Sequence, residues 1–179
     1  MSSVVIAGDT SGTITLAAPA VSGTTTLTLP ATTGTIVTTN TMPAGSILQV
    51  VQASSAGGST ASTSFTDMGL SASITPTKNT SKILVQVNGV YRAVAVLRAG
   101  FSIVRGSTNI QSATEMVILP SASLTNNSYY LTVLDSPATT SSTTYKVQFQ
   151  TNTGTIYTND AGSIAVGNIN YITLFEVAA

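Results

Sequence analysis

The sequence holds no cysteine, no histidine and no tryptophan, and charged side chains make up only 7% of its 179 residues. Each shortage removes a class of function. Without cysteine there is no disulfide framework, no thiol nucleophile and no thiolate metal site. Without histidine the chain lacks the commonest general base and metal ligand. Six basic and six acidic residues cancel to zero net charge, which gives no electrostatic footing for nucleic acid or an anionic membrane surface. No apolar run approaches the roughly 18 residues that would span a bilayer, so no membrane insertion is expected. The opening MSSVVIAGDT has neither a positive stretch nor a long apolar core, so no cleaved signal peptide is expected.

Hydroxyl groups fill the gap. The chain has 23 Ser and 32 Thr, and its hydrophobic content of 42% is enough for a core. Average soluble domains carry about 25% charged residues. A surface of hydroxyls and amides suits a place in a large assembly better than free circulation at high concentration.

A short tandem repeat occupies one end. In GTITLAAPAVSGTTTLTLPATTGTIV, Gly12, Gly23 and Gly34 are eleven residues apart, as are Pro19 and Pro30. Ile14, Thr25 and Ile36 share a slot, and so do Leu16 and Leu27. Each unit is an alternating β phrase closed by a turn signal. The branched Cβ of Thr and Ile favours extended backbone. Such phrases bury no core alone, because both faces and both edges stay open. They predict an assembly or anchoring arm over residues 1–43, with Asp9 the single charge before residue 42; the alternative is a disordered low-complexity leader, against which the regular Leu/Ile slots argue.

Residues 44–179 read as a β domain. Strand phrases recur at Ser46–Gln52, Phe65–Ile74, Lys82–Val90 with a continuation past Gly89, Gly100–Arg105, Glu115–Leu119, Tyr129–Leu134, Thr144–Gln150, Thr155–Thr158 and Tyr171–Val177. The Ser/Ala/Gly stretch 53–64 reads as flexible, and Gly106–Asn109 as a turn. No window has the 3.6-residue period of a helix. Many short strands between Gly, Pro, Asn and Ser point to an antiparallel sandwich or barrel, a jelly roll being the most economical. YYLTVL and YITLFEV are apolar on both faces. One face fits a core, and a neighbouring subunit is the natural cover for the other.

Candidate chemistry is sparse. An attacking hydroxyl needs a base, and only Lys78, Lys82, Lys146 or a carboxylate is on offer, with no Ser set beside one in a defined role. Lys78 and Lys82 read as solvated flanks of a strand. The carboxylates Asp9, Asp67, Glu115, Asp135, Asp160 and Glu176 are dispersed, whereas a glycosidase needs two facing across a cleft. Asp135-Ser136-Pro137 and Asn159-Asp160-Ala161-Gly162 read as turns. Tyr91, Tyr129, Tyr130 and Tyr157 read as strand residues packing in a core or subunit interface rather than as sugar platforms. Arg92, Arg98 and Arg105 fall in or beside adjacent strands, as intersubunit donors or solvated groups. The expectation is no catalytic, cofactor or metal residue; receptor-binding residues are unassigned.

The phrases also carry a family likeness. GTITLAAPAVSGTTTLTLPATTGTIVTT resembles a segment recurrent in bacteriophage tail-fibre and related virion proteins. Through GSILQVVQ, FTDMGLSASITP, SKILVQV, FSIVRGS, DSPATTSSTTYKVQFQTNTG and ITLFEVA, the rest looks like the jelly-roll tip domain found after it. The resemblance covers most of the chain. It implies a non-enzymatic virion structural protein, made in the host cytoplasm and usually homotrimeric, with a fold similar to the tumour-necrosis-factor/C1q jelly rolls. One implied role is a tail-fibre tip, joined to tail or baseplate proteins and touching a host surface glycan. The alternative is a capsid decoration or cement protein held on the head by the major capsid protein. A remote third reading is a glycan-processing enzyme, in which carboxylate substitutions would abolish polysaccharide turnover.

With no side chain whose ordinary pKa lies there, folding stability is expected to stay flat between about pH 6 and 8. Urea midpoints across that range test this, and a sharp transition would reveal a strongly perturbed carboxylate.

Overall fold

The computed structural model describes residues 3–7, 10–17, 20, 31–33, 42–96, 98–118, 125–158 and 169–179. Among these residues every strand pairing is antiparallel and there is no helix. The chain divides into two compact units, Met1–Val37 and Thr38–Ala179.

In the first unit, β1 (Ser3–Ala7) and β2 (Thr13–Ala17) form a hairpin. Five residue pairs run without a bulge, from Ser3 opposite Ala17 to Ala7 opposite Thr13. The first repeat phrase is β2. The phrases expected at 23–30 and 34–37 lie outside the described residues.

The second unit contains β3 (Ile47–Ser55), β4 (Ser59–Thr60), β5 (Thr66–Ile74), β6 (Lys82–Val94), β7 (Arg98–Arg105), β8 (Thr108–Ile118), β9 (Thr125–Asp135), β10 (Thr143–Thr151), β11 (Thr155–Tyr157) and β12 (Asn170–Val177). Four strands form one sheet in the order β5-β10-β7-β8. The other runs β3-β12-β6, with β9 also pairing β6 and β11-β4 continuing from the last residues of β6. Several strands reach beyond their sequence signals: β8 begins at Thr108, ahead of the phrase at Glu115, and β9 at Thr125, ahead of Tyr129. β3 runs on to Ser55 and β4 forms within the stretch that read as flexible. The tight turn is confined to Gly106–Ser107, and Thr108 and Asn109 already belong to β8. These segments are hydroxyl- and amide-rich, so their backbone pairing leaves no hydrophobic alternation to read.

Alternation builds the core where it exists. Ile83, Val85 and Val87 of β6, Tyr145, Val147 and Phe149 of β10, and Ile172 and Leu174 of β12 are buried and meet in one cluster. Aromatic rings lock the two sheets together. Phe101 of β7 stacks on Tyr129 of β9, centroids 4.2 Å apart, and Tyr91 of β6 tilts against both. Stacked and tilted pairs add to the area they bury. In β5 the register slips opposite Lys146–Gln148, and Gly69 takes φ +80 at that slip. A glycine accepts this left-handed backbone, and the inward alternation of Met68, Leu70, Ala72 and Ile74 runs through it unbroken.

One end of the second unit is closed by two carboxylates. Glu176, facing inward from β12, accepts from the backbone N–H of Thr77 and from its hydroxyl, both at 2.7 Å, and from Gln49 Nε2 at 2.6 Å. Gln49 also donates to the Thr75 carbonyl. The loop after β5 is thereby tied to the opposite sheet. Asp135, at the end of β9, accepts from Arg105 Nη1 at 2.9 and 2.7 Å and from the Tyr145 hydroxyl at 2.7 Å. It too bridges the sheets, since Arg105 and Tyr145 sit on β7 and β10. Burial, then the Asp135 charge beside it, holds the Tyr145 hydroxyl firmly protonated. At the same end Gly45 donates to the Ala178 carbonyl and Ala178 to the Ser46 carbonyl.

Burial pushes the Glu176 carboxyl up, but the Ser81, Gln49 and Thr77 groups around it outweigh this and hold it below its ordinary 4.5. A depressed folded-state pKa contributes stability that is complete above the unfolded value and is lost as pH falls through the folded one. Glu176→Gln is therefore expected to cost about 2 kcal/mol at neutral pH. It should also flatten the acid limb of the stability profile below the ordinary 4.5, as read from urea midpoints at each pH.

Candidate interaction face

The outer surfaces of the two sheets differ. On the four-stranded sheet the outward residues include Ser71, Ser73, Lys146, Gln148 and Gln150. Asp67 there accepts from Lys146 Nζ at 2.9 Å and from Gln148 Nε2 at 2.6 Å. Those two bonds, Lys146 first, hold its carboxyl below the usual range. Among the described residues this sheet exposes no large hydrophobic side chain.

The six-stranded sheet is banded instead. Strand register sets its outward residues in rows across β3, β12, β6 and β9. Val50, Phe175, Leu84 and Leu134 form one apolar row. Val50 is 54% and Leu134 53% exposed, and Leu84 and Phe175 are half-buried. Next to it runs a row of Gln52, Thr173, Gln86 and Thr132. Within that row Gln52 donates to the Thr173 hydroxyl at 3.0 Å. The third row is Ser54, Tyr171, Asn88 and Tyr130, with Tyr130 54% exposed. No charge enters these three rows; Lys82 and Arg92 stand at their two ends. An apolar band beside neutral amides and hydroxyls, with charge kept to the margin, matches the make-up of protein interface cores.

The row has a local sequence cause. Each of its four strands carries two adjacent apolar residues: Val50-Val51, Leu84-Val85, Val133-Leu134 and Leu174-Phe175. In a strand, neighbours point to opposite faces. One member of each doublet packs in or against the core, and the other stands outside. The sequence marked YYLTVL and YITLFEV as two-faced; Val50 and Leu84 were missed because only the register shows that they line up.

The other sequence candidates fall as follows. Tyr91 and Tyr129 are core residues. Burial pushes the Tyr91 hydroxyl up to about 12 and raises that of Tyr129 further. Tyr129 donates to Asn170 Oδ1 at 3.0 Å, while the Tyr91 hydroxyl has no partner among the described residues. Tyr130 is on the banded face, and the Arg92 guanidinium lies 5.6 Å over the Tyr157 ring. Arg105 serves the Asp135 bridge, Arg98 begins β7, Lys82 is exposed and Lys78 is in the loop after β5. Asp9 and Asp160, and the side chain of Glu115, lie outside the described residues. Asp67, Asp135 and Glu176 are each engaged by their own donors, and no three metal-ligating side chains converge among the described residues. No described helix is long and apolar enough to cross a membrane.

The chain matches no protein-family model and no curated protein.

The third row borders an open hollow of about 400 Å³ lined by Asn88, Gly89, Ser128, Tyr130 and Ile169 among others. Its floor depends on Gly89. A Cβ there would collide with the Asn170 amide and the Tyr129 ring, and the Asn170 amide bonds both Tyr129 and the Thr158 carbonyl. Gly89→Ala is expected to destabilise the fold by about 1–3 kcal/mol through overpacking, measured by urea unfolding.

Proposed function

We propose that this is a non-enzymatic virion structural protein of the tail-fibre class, anchored by its N-terminal arm and carrying a homotrimeric jelly-roll body. The observation that carries this reading is the uncharged apolar row Val50–Phe175–Leu84–Leu134 on one face of the sandwich. Exposing a row of that kind to water costs free energy, and burying it against another subunit lowers it. Strand order supports the jelly-roll reading. The main strands lie as β3-β12-β6-β9 against β5-β10-β7-β8, so the chain crosses repeatedly between sheets, as two interleaved Greek keys require. Phage lineage rests on the resemblance of the arm and body phrases.

On this reading the face supplies cohesion and no chemistry. Bodies meet through the apolar row. The Gln and Thr row beside it offers donors and acceptors that a copy of itself satisfies, which sets register between subunits. The Tyr and Asn row is the part of the face with rings and amides for a host glycan.

The intact chain is expected to have a trimeric mass by light scattering. Leu84→Lys with Phe175→Lys should drop the body to monomer while leaving its circular dichroism intact. A monomeric unmodified chain would sink the self-association reading. Gold-labelled antibody against residues 44–179 then locates it: label on tail fibres supports the fibre role, label over the head makes it a decoration protein, and unlabelled particles end the virion reading.

A further inference from the structure

A second hollow, of about 390 Å³, opens at the closed end of the second unit, between the turn after β7 and the loop from β9 to β10. Both segments that form it are described throughout. It is lined by Arg105 and by the hydroxyl residues Thr139, Ser142, Thr143 and Thr144, among others. Its volume falls in the range of small-molecule sites, about 300–1,000 Å³.

Arg105 is the one charged residue of the lining. Its Nη1 alone makes the bridge to both Asp135 oxygens, and also donates to the Ser136 carbonyl at 3.3 Å. Nε and Nη2 have no partner among the described residues. The Arg105 side chain is 28% exposed and that of Asp135 11%. The cation can thus be reached from the hollow, while its counter-ion is mostly covered.

The loop is set in advance. Pro137 fixes its own backbone angle, and Ala138 after it takes φ +53. A left-handed alanine is strained, and such strain persists where the surroundings enforce it, as at ligand clamps. Thr139 Oγ1 accepts from the Ser141 N–H at 3.0 Å, and the Thr143 hydroxyl donates to the Ser141 carbonyl at 3.1 Å. Gly106 donates to the Thr144 carbonyl at 3.0 Å, which ties the far end of the loop to the turn after β7. A pre-set loop loses little entropy on binding. The Ser142 hydroxyl is exposed and has no partner among the described residues.

These groups select a ligand. The Nε and Nη2 edge of a guanidinium offers parallel N–H donors that match the two oxygens of a carboxylate. Hydroxyl side chains both donate to and accept from the hydroxyls of a sugar ring. No acidic and no aromatic side chain lines the hollow, so nothing there repels an anion or favours a flat apolar molecule. We propose that this hollow binds an acidic sugar, with the carboxylate of a hexuronic acid on the Nε–Nη2 edge of Arg105 and its ring hydroxyls against the Ser and Thr side chains of the loop. The site stands apart from the banded face, none of whose three rows includes these residues, and it needs neither self-association nor the virion reading.

The full-length chain is titrated by calorimetry with trigalacturonic acid, a neutral galactose trisaccharide and inorganic sulfate. The chain has three arginines, Arg92, Arg98 and Arg105, so the Nε–H signal of Arg105 can be followed separately by NMR. Trigalacturonic acid is expected to bind about tenfold or more tightly than either other probe and to shift that signal. Arg105→Lys keeps a cation beside Asp135 but lacks the fork, and should weaken binding about tenfold. Ser142→Glu puts a carboxylate into the hollow at an exposed position the fold does not use. It should abolish binding with circular dichroism and urea midpoint unchanged, which keeps the test decisive if Arg105→Lys weakens the fold. No binding of trigalacturonic acid overturns the inference, as does binding that survives Ser142→Glu. Equal affinity for the neutral sugar overturns it too, and so does equal affinity for sulfate, which would make Arg105 a bare anion site. A monomeric chain that still binds trigalacturonic acid supports it and sinks only the association of the bodies.

Discussion

The backbone ladder along β6 is the interaction on which the body depends. This strand is hydrogen-bonded along both edges, to β12 and then β11 on one side and to β9 on the other. Its inward residues Ile83, Val85, Val87, Tyr91 and Ala93 are all buried. A slip of one residue would turn that whole set to solvent and bring Leu84 and Gln86 into the core. Every outward row is therefore set by the same constraint that sets the core. Gly89 is the one place where β6 gives way, and the opening is filled by the Asn170 amide.

Charge is scarce enough that its placement is informative. Of the described carboxylates, Glu176 and Asp135 work inside, bridging the sheets at one end, and only Asp67 is left on an outer surface. A typical domain uses such groups to stay dissolved. Here neutral hydroxyls and amides carry the wet surface, and ionic groups are used where several donors must be satisfied at one point. The cost is sensitivity to acid at the closed end. The gain is an outer sheet face whose three rows carry no like charges to repel one another.

The extent of the fold legible in the sequence follows the side chains. Strands such as β10 and β12 announce themselves, because Tyr145, Val147 and Phe149 alternate with Lys146, Gln148 and Gln150, and Ile172 and Leu174 alternate with Thr173. The all-β antiparallel class was readable for that reason. The end of β3, all of β4 and the start of β8 were not, since Ser, Thr, Asn and Gln pair through backbone without an apolar signature. The face was half legible. Doublets like Leu174-Phe175 mark a two-faced strand, but which doublets share a row is a property of register, which joins residues more than a hundred positions apart, as Val50 and Phe175. The carboxylate bridges were invisible for the same reason: Thr77 and Glu176 meet only after the sheets close.

The paired bonds between Ser46, Gly45 and Ala178 bring the first and last strands of the body to one corner. Its two chain ends are thus already neighbours in space. A short peptide could join them, and new ends could be opened in an exposed loop, giving a circular permutant with the same two sheets. Conversely, cargo fused after Ala179 would emerge beside Gly45 and Ser46. Cargo carried on a permuted loop at the opposite end would stand clear of them.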